Sequence, residues 1–194
     1  MLNWVAFITY VLVTSITPGP NNIMAMSNAT RFGLRKSLNF NLGVCVGFTL
    51  IILLCTYLSL ALESILPRFR LVMSAVGAAY MLYLAAKLVL STNGASAGRD
   101  EALNSFWAGL GLQFLNPKGI MYALTVAANF LLPYTHSQVM LLVFAVLLGF
   151  VGFLTTTCWS LFGVVFQRLL ASYLQPFNAA MGLLLVYSAV SLFL

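Results

Sequence analysis

Two short segments carry residue types for which an apolar helix has no use. The first is Thr17-Pro18-Gly19-Pro20-Asn21-Asn22, where two prolines and a glycine within three positions remove two backbone donors and interrupt a helix. The second is Gln113-Phe114-Leu115-Asn116-Pro117-Lys118-Gly119, where one proline stands beside two amides and an ammonium. Each break leaves carbonyls without partners on one side and N–H groups without partners on the other. In a nonpolar setting these must be met by protein, water or ligand. Half-helix N-termini and one cation together favour a carboxylate. The three acidic residues, Glu63, Asp100 and Glu101, lie elsewhere, so an ammonium would be met by loose carbonyls and by Asn21, Asn22, Gln113 and Asn116. Binding of a small zwitterion is the chemistry these residues suit, with no strong preference for a cationic side chain. For the first segment the alternative is a plain kink, since proline and glycine are common in membrane helices. For Lys118 it is a cap on carbonyls freed by its own helix break, a role compatible with ligand binding.

The elements that must position these residues follow from composition. The chain has 194 residues, 62% of them hydrophobic and 6% charged, with a mean hydropathy of +1.02. A soluble domain is roughly 45–50% apolar and about 25% charged, so this chain cannot cover a soluble surface and is expected to be an integral membrane protein. A spanning helix takes about 20 apolar residues. The apolar runs predict six spans near 3–27, 39–62, 69–90, 105–130, 138–161 and 173–194, too long for the alternating strands of a barrel. They leave no room for a second, water-soluble domain, so residues 1–194 form one membrane unit. Met1-Leu2-Asn3-Trp4 lacks a basic leader region, and the first helix is expected to stay. Pro67, Pro133 and Pro176 fall at span ends, where proline is tolerated. Lys118 instead lies mid-span, about 18 Å from either end at 1.5 Å per residue, beyond the ~6 Å reach of its own stem.

Pro20-Asn21-Asn22-Ile23-Met24 lines up with Pro117-Lys118-Gly119-Ile120-Met121, and Gly47 and Gly77 with Gly152 and Gly182. This suggests two repeats, about 1–92 and 103–194. Three spans per copy is odd, so the second copy would be inverted in the membrane, an arrangement common in secondary transporters. The fold class expected is all-α, six transmembrane helices as two inverted three-helix repeats, with the first and fourth helices broken. With both termini outside, the inner connections hold Arg31, Arg35, Lys36, Lys87, Arg99 and Arg168, and the outer ones Arg68 and Arg70, which supports N-out and C-out. The connections are read at Arg31–Lys36 and across the Gly/Ser/Ala stretch Ser91–Ser105.

Other features weigh less. The net charge of +6 is explained by these orienting residues rather than by nucleic acid. Gly43-x-x-x-Gly47 fits close helix packing. Thr155-Thr156-Thr157-Cys158-Trp159 would line a cavity or pack in the core. His136 stands alone in an outer loop. Cys45, Cys55 and Cys158 lie in apolar runs as an odd set, in keeping with packed free thiols. No CxxC pair, HExxH or Gly-rich phosphate loop is present, so no metal, nucleotide or haem is expected. Nor does any Ser–His or paired-carboxylate arrangement within the spans suggest an enzyme.

At Thr17-Pro18-Gly19-Pro20-Asn21 and Gln113-Phe114-Leu115-Asn116-Pro117-Lys118 the sequence resembles the lysine-exporter (LysE/RhtB) family of bacterial amino-acid exporters, over essentially the whole chain. Ser105-Phe106-Trp107-Ala108, Leu112-Gln113-Phe114, Cys158-Trp159, Phe166-Gln167-Arg168-Leu169 and Leu183–Tyr187 resemble the branch that exports cysteine and O-acetylserine. The resemblance implies export of a small neutral amino acid from the cytoplasm across the inner membrane by proton antiport, without a cofactor. Its substrate-binding residues would be Thr17, Pro18, Gly19, Pro20, Asn21, Asn22, Gln113, Asn116, Pro117 and Lys118. Because the spans hold no carboxylate or histidine at depth, Lys118 is also the candidate for proton coupling. Homoserine, threonine, leucine or basic amino acids remain alternative substrates. A transmembrane thiol–disulfide carrier using Cys45 and Cys158, and a passive channel or scaffold, remain alternative functions. The oligomeric state is open.

Overall fold

The break at Pro18-Gly19-Pro20 divides the first expected span into two helices that each reach about 20 Å at 1.5 Å per residue, too short alone for a hydrocarbon core about 30 Å thick. These are α1, Trp4–Ile16, and α2, Pro20–Phe32. The structure, a computed structural model, describes residues 4–61, 75, 78–79, 82–86, 89, 102–169 and 174–190. Further along lie α3 (Leu34–Ala61), α4 (Phe106–Leu115), α5 (Pro117–Val126), α6 (Gln138–Leu169) and α7 (Leu174–Val190). A π turn at Ala127–Leu131 ends the α5 rod. The described residues between 75 and 89 are helical, and no strand occurs among the described residues.

Several boundaries differ from the sequence reading. The basic stretch Arg31–Lys36 is helical apart from Gly33, whose φ of 82° is open to glycine and strained for other residues. Arg31 thus closes α2, and Arg35 and Lys36 open α3, so a single residue replaces the expected connection. The fifth span runs on to Leu169 rather than 161. Ser105 starts α4 as its N-cap, its hydroxyl accepting from Ala108 N at 3.1 Å. The third expected span, 69–90, is described only in part. Residues 91–101, with Arg99, Asp100 and Glu101, and also Glu63, Pro67, Arg68, Arg70, Gly77 and Lys87, lie outside the described residues.

Contacts fix the helix directions. Asn41 meets Thr157 and Ser160 while Tyr57 donates to Gln138, so α3 and α6 run antiparallel. Gly43 packs at Phe106 and Cys55 at Ile120, so α3 runs parallel to α4 and α5. Tyr10 packs on Tyr122 and Phe130, Asn21 on Gln113, and Asn28 on Leu103, so the α1–α2 pair crosses α4–α5 antiparallel and break meets break.

Polarity is arranged inside out. Ten of the thirteen residues of α2 are buried, among them Asn22, Ser27, Asn28 and Thr30. Large apolar residues instead face outward: Val139 is 70% exposed, Phe162 61% and Val13 61%. Among the described residues, Leu34–Leu58 and Gln138–Val165 are long and apolar enough to cross a bilayer. A surface this apolar is stable against lipid and not against water.

The tightest seam lies between α3 and α4. A Cβ on Gly43 would fall on the carbonyl oxygen of Phe106, and one on Gly109 on that of Phe40; one on Gly47 would stand 2.7 Å from Gln113 Cγ. Packing thus explains Gly43-x-x-x-Gly47. A Cβ on Gly182 would similarly meet Val89 Cγ2 at 2.6 Å, whereas Gly111 has nothing within 4 Å. Gly43→Ala is therefore expected to destabilise the purified protein by about 1–3 kcal/mol, and Gly111→Ala by less than about 0.5 kcal/mol, in thermal unfolding followed by circular dichroism.

Candidate functional site at the crossed helix breaks

The last carbonyls of any helix lack intrahelical donors, and those at the end of α1 find theirs on other elements. Ser15 O accepts from Asn22 Nδ2 at 2.8 Å, and Ile16 O from the Trp159 indole at 3.2 Å. Thr17 O accepts from Asn22 Nδ2 at 3.1 Å and from Lys118 Nζ at 2.8 Å. Lys118 therefore caps the break of the opposite helix pair, not that of its own, as the sequence reading had it. Its stem runs across Gly19, where a Cβ would stand 3.0 Å from Lys118 Cδ and 3.3 Å from Nζ.

On the far side of each break a new helix begins with proline in its first turn, where the missing N–H costs nothing. Gly19 caps α2 and Asn116 caps α5, and neither N-terminus carries a side-chain cap. Between the breaks three amides interlock. Asn21 Nδ2 donates to Gln113 Oε1 at 2.9 Å, and Gln113 Nε2 returns a bond to Asn21 Oδ1 at 3.1 Å. Asn116 Nδ2 adds a second donor to Asn21 Oδ1 at 3.1 Å, and Gln113 Nε2 also donates to Gly109 O at 3.0 Å.

A cavity of about 50 Å³ opens against this knot, enough for a few waters at ~10–15 Å³ each. Of the ten residues singled out in the sequence, Gly19, Asn21, Asn22, Asn116 and Lys118 line it. Gln113, Pro20 and Pro117 are buried behind the lining, while Thr17 and Pro18 are exposed, Thr17 contributing through its carbonyl. Thr155 and Thr156 also line the cavity, whereas Trp159 braces the α1 end and Thr157 bonds Asn41. Gly119, the last residue of the second candidate segment, lines the cavity too, while the sequence reading missed Thr14 and Ser15, Val44, Phe48, Tyr122 and Gly152 as lining residues. Thr14-Ser15 was legible as the polar pair in the turn before the break; Tyr122 follows Lys118 by one helical turn. Phe48 and Val44 carry no sequence signal, being apolar residues in an apolar helix.

The electrostatics are one-sided. Among the described residues, no acidic side chain lines the cavity and one ammonium does, and two helix N-termini begin at its edge. A site so built suits an anionic group, with an apolar wall of Val44, Phe48 and Tyr122 beside it. The three cysteines are free: Cys55 is buried, Cys45 half-buried and Cys158 exposed.

The sequence matches the family described as LysE type translocator over residues 12–194. It is 44% identical to the cysteine/O-acetylserine efflux protein of Klebsiella pneumoniae over 185 residues, covering 95% of this chain and 94% of that relative. Proteins of the same name from Salmonella typhimurium and Escherichia coli are 40% and 41% identical over 188 residues, with 97% of this chain and 96% of each relative covered. No solved structure gives a significant match.

If the Asn22 amide is what satisfies the end of α1, then Asn22→Ala orphans Ser15 O and weakens the bonding at Thr17 O. It is expected to destabilise the protein by about 1–3 kcal/mol, while Thr17→Ala, which leaves the Thr17 carbonyl in place, changes stability by less than about 0.5 kcal/mol. Thermal unfolding in one detergent would compare the two.

Proposed function

Because the chain belongs to the LysE type translocator family, we propose that it exports cysteine, O-acetylserine or a similarly small neutral amino acid from the bacterial cytoplasm. The observation that carries this reading is the cavity at the crossed breaks, where the described lining brings the Lys118 ammonium and two uncapped helix N-termini together and holds no carboxylate. The substrate carboxylate is received there by Lys118 and the first-turn N–H groups of α2 and α5. The side chain rests on Val44, Phe48 and Tyr122. An additional cationic group on the substrate would meet no counter-charge among the described lining residues, which disfavours basic amino acids.

Transport proceeds by alternating access between two inverted three-helix repeats in the inner membrane. The antiparallel crossings of α1–α2 with α4–α5, and of α3 with α6, support that reading, because inversion requires both. With the N-terminus outside, Arg31, Arg35 and Lys36 come together at the inner end of α2 and α3, in keeping with the charge rule. Lys118 is the coupling group: it holds Thr17 O in the empty cavity, releases it for the carboxylate and exchanges its proton for substrate in an antiport cycle.

Cells producing the wild-type chain are expected to accumulate cysteine, O-acetylserine or another small neutral amino acid in the medium at several times the empty-vector level, and Lys118→Ala to abolish the excess. Amino-acid profiling of the medium checks both. Wild-type medium identical to the control would remove the exporter reading. In proteoliposomes, Lys118→Gln is expected to uncouple lumenal pH change from amino-acid movement; retained coupling would remove the proton role of Lys118 and leave export untouched.

A further inference from the structure

We infer that the substrate's α-ammonium is received by Oδ1 of Asn116, and that Gln113 and Asn21 act as positioning residues that aim this oxygen. The inference rests on the zwitterion-exporter reading and deepens it. It begins from an accounting of the four amides at the break. Asn22 directs its NH2 group to the carbonyls of Ser15 and Thr17. Gln113 and Asn21 hold each other in a reciprocal pair. Among the amides that line the cavity, the one with a buried oxygen lacking any hydrogen-bond partner is Asn116. Asn41 and Asn104 also have partnerless buried oxygens, but neither lines the cavity; Tyr122 does line it with a partnerless hydroxyl, which can donate as well as accept and so does not demand a donor.

Amide orientation has to be deduced from the network, and here a backbone group fixes it. Gly109 O can only accept, so the Gln113 group that faces it at 3.0 Å must be NH2. Gln113 Oε1 then faces Asn21 and must receive Asn21 Nδ2, which places Asn21 Oδ1 opposite Gln113 Nε2. Asn21 Oδ1, an acceptor, is also 3.1 Å from the Asn116 amide, so the atom there is Nδ2. Asn116 is left with its oxygen pointing away from the knot. That residue is 3% exposed, and its Oδ1 is shut off from solvent. The protein supplies no donor to it, and a small turn of the Asn116 side chain brings this oxygen into the cavity that the residue lines, where a ligand can supply one. An ammonium supplies it, and the arrangement sets amine and carboxylate at adjoining places, one at Asn116 and the other at Lys118 two residues on.

The test uses three compounds that share a thiol side chain: cysteine, 3-mercaptopropionate without the amine, and cysteamine without the carboxylate. Their inhibition of labelled-cysteine counterflow is measured under reductant in proteoliposomes of the full chain. The wild type is expected to prefer cysteine over 3-mercaptopropionate by about 10- to 100-fold, the range of a hydrogen bond to a charged group. Asn116→Ala should reduce that preference to within about threefold while keeping the preference over cysteamine. Lys118→Gln, which keeps amino-acid movement and loses the ammonium, should do the reverse. Asn116→Asp, which keeps the acceptor and adds charge, should preserve or increase the preference for the amine and serves if the alanine variant is inactive. The inference is overturned if Asn116→Ala retains the full preference for cysteine over 3-mercaptopropionate, or if Asn116→Asp loses it. A wild type that shows no cysteine counterflow would instead count against the exporter reading itself.

Discussion

A helix that stops short within a fold must find partners for the backbone groups it frees, and in this protein the other architecture follows from how that is done. Pro18, Gly19 and Pro20 end α1 where α2, α5 and α6 meet it. The exposed carbonyls of Ser15, Ile16 and Thr17 are taken by Asn22 from α2, Trp159 from α6 and Lys118 from α5. Three different elements thus converge on one helix end. Each unsatisfied group would cost several kcal/mol in hydrocarbon, so the interlock holds the two helix pairs in register. The donors freed on the other side of each break have no side-chain cap. In the proposed function they are the groups that receive the substrate carboxylate.

The cavity at this junction separates two unlike halves of the interior. Towards the start of α1 the buried surface is apolar and heavily aromatic: Trp4, Phe7 and Phe144 pack together, and Tyr10, Phe48, Tyr122 and Phe130 continue the cluster down to the cavity wall. On the opposite side, α2, the first half of α3, α4 and the second half of α6 bury Ser27, Asn28, Asn41, Gln113 and Ser160. There Asn41 bonds Ser160, whose hydroxyl donates in turn to Ala25 O. The buried Thr56 hydroxyl on the aromatic side bonds its own helix. An amino acid held between these halves meets rings on one side and amides and hydroxyls on the other. This suits a solute with a small uncharged side chain and two charged groups.

How much of this was legible in the sequence depends on whether a residue's role is local. Both breaks were, because Pro18-Gly19-Pro20 and Asn116-Pro117 cannot continue a helix wherever they are placed. The Gly43/Gly47 seam was legible for the same reason: spacing alone puts both on one helix face. The partner of Lys118 was not, since nothing in the chain near residue 118 indicates that its ammonium will meet a carbonyl 101 residues away. Phe48 and Val44 were invisible because an apolar residue facing a cavity reads like one facing lipid. The end of α2 was misjudged because composition was taken for conformation: Arg31, Arg35 and Lys36 look like a loop, yet only Gly33 departs from the helix.

The central claim is that a small amino acid occupies the cavity where the two breaks cross. It is tested most directly by substrate protection. In a chain with Cys45, Cys55 and Cys158 replaced by serine, single variants Ser15→Cys and Thr156→Cys place a thiol in the lining, and Tyr134→Cys places one on the exposed turn after the π segment. The rate of maleimide labelling of purified protein is measured with and without O-acetylserine. The account predicts that O-acetylserine slows labelling several-fold at Ser15→Cys and Thr156→Cys and leaves Tyr134→Cys unchanged. Unchanged rates at both lining positions, in protein shown to transport that amino acid, would place its binding site elsewhere and contradict the account.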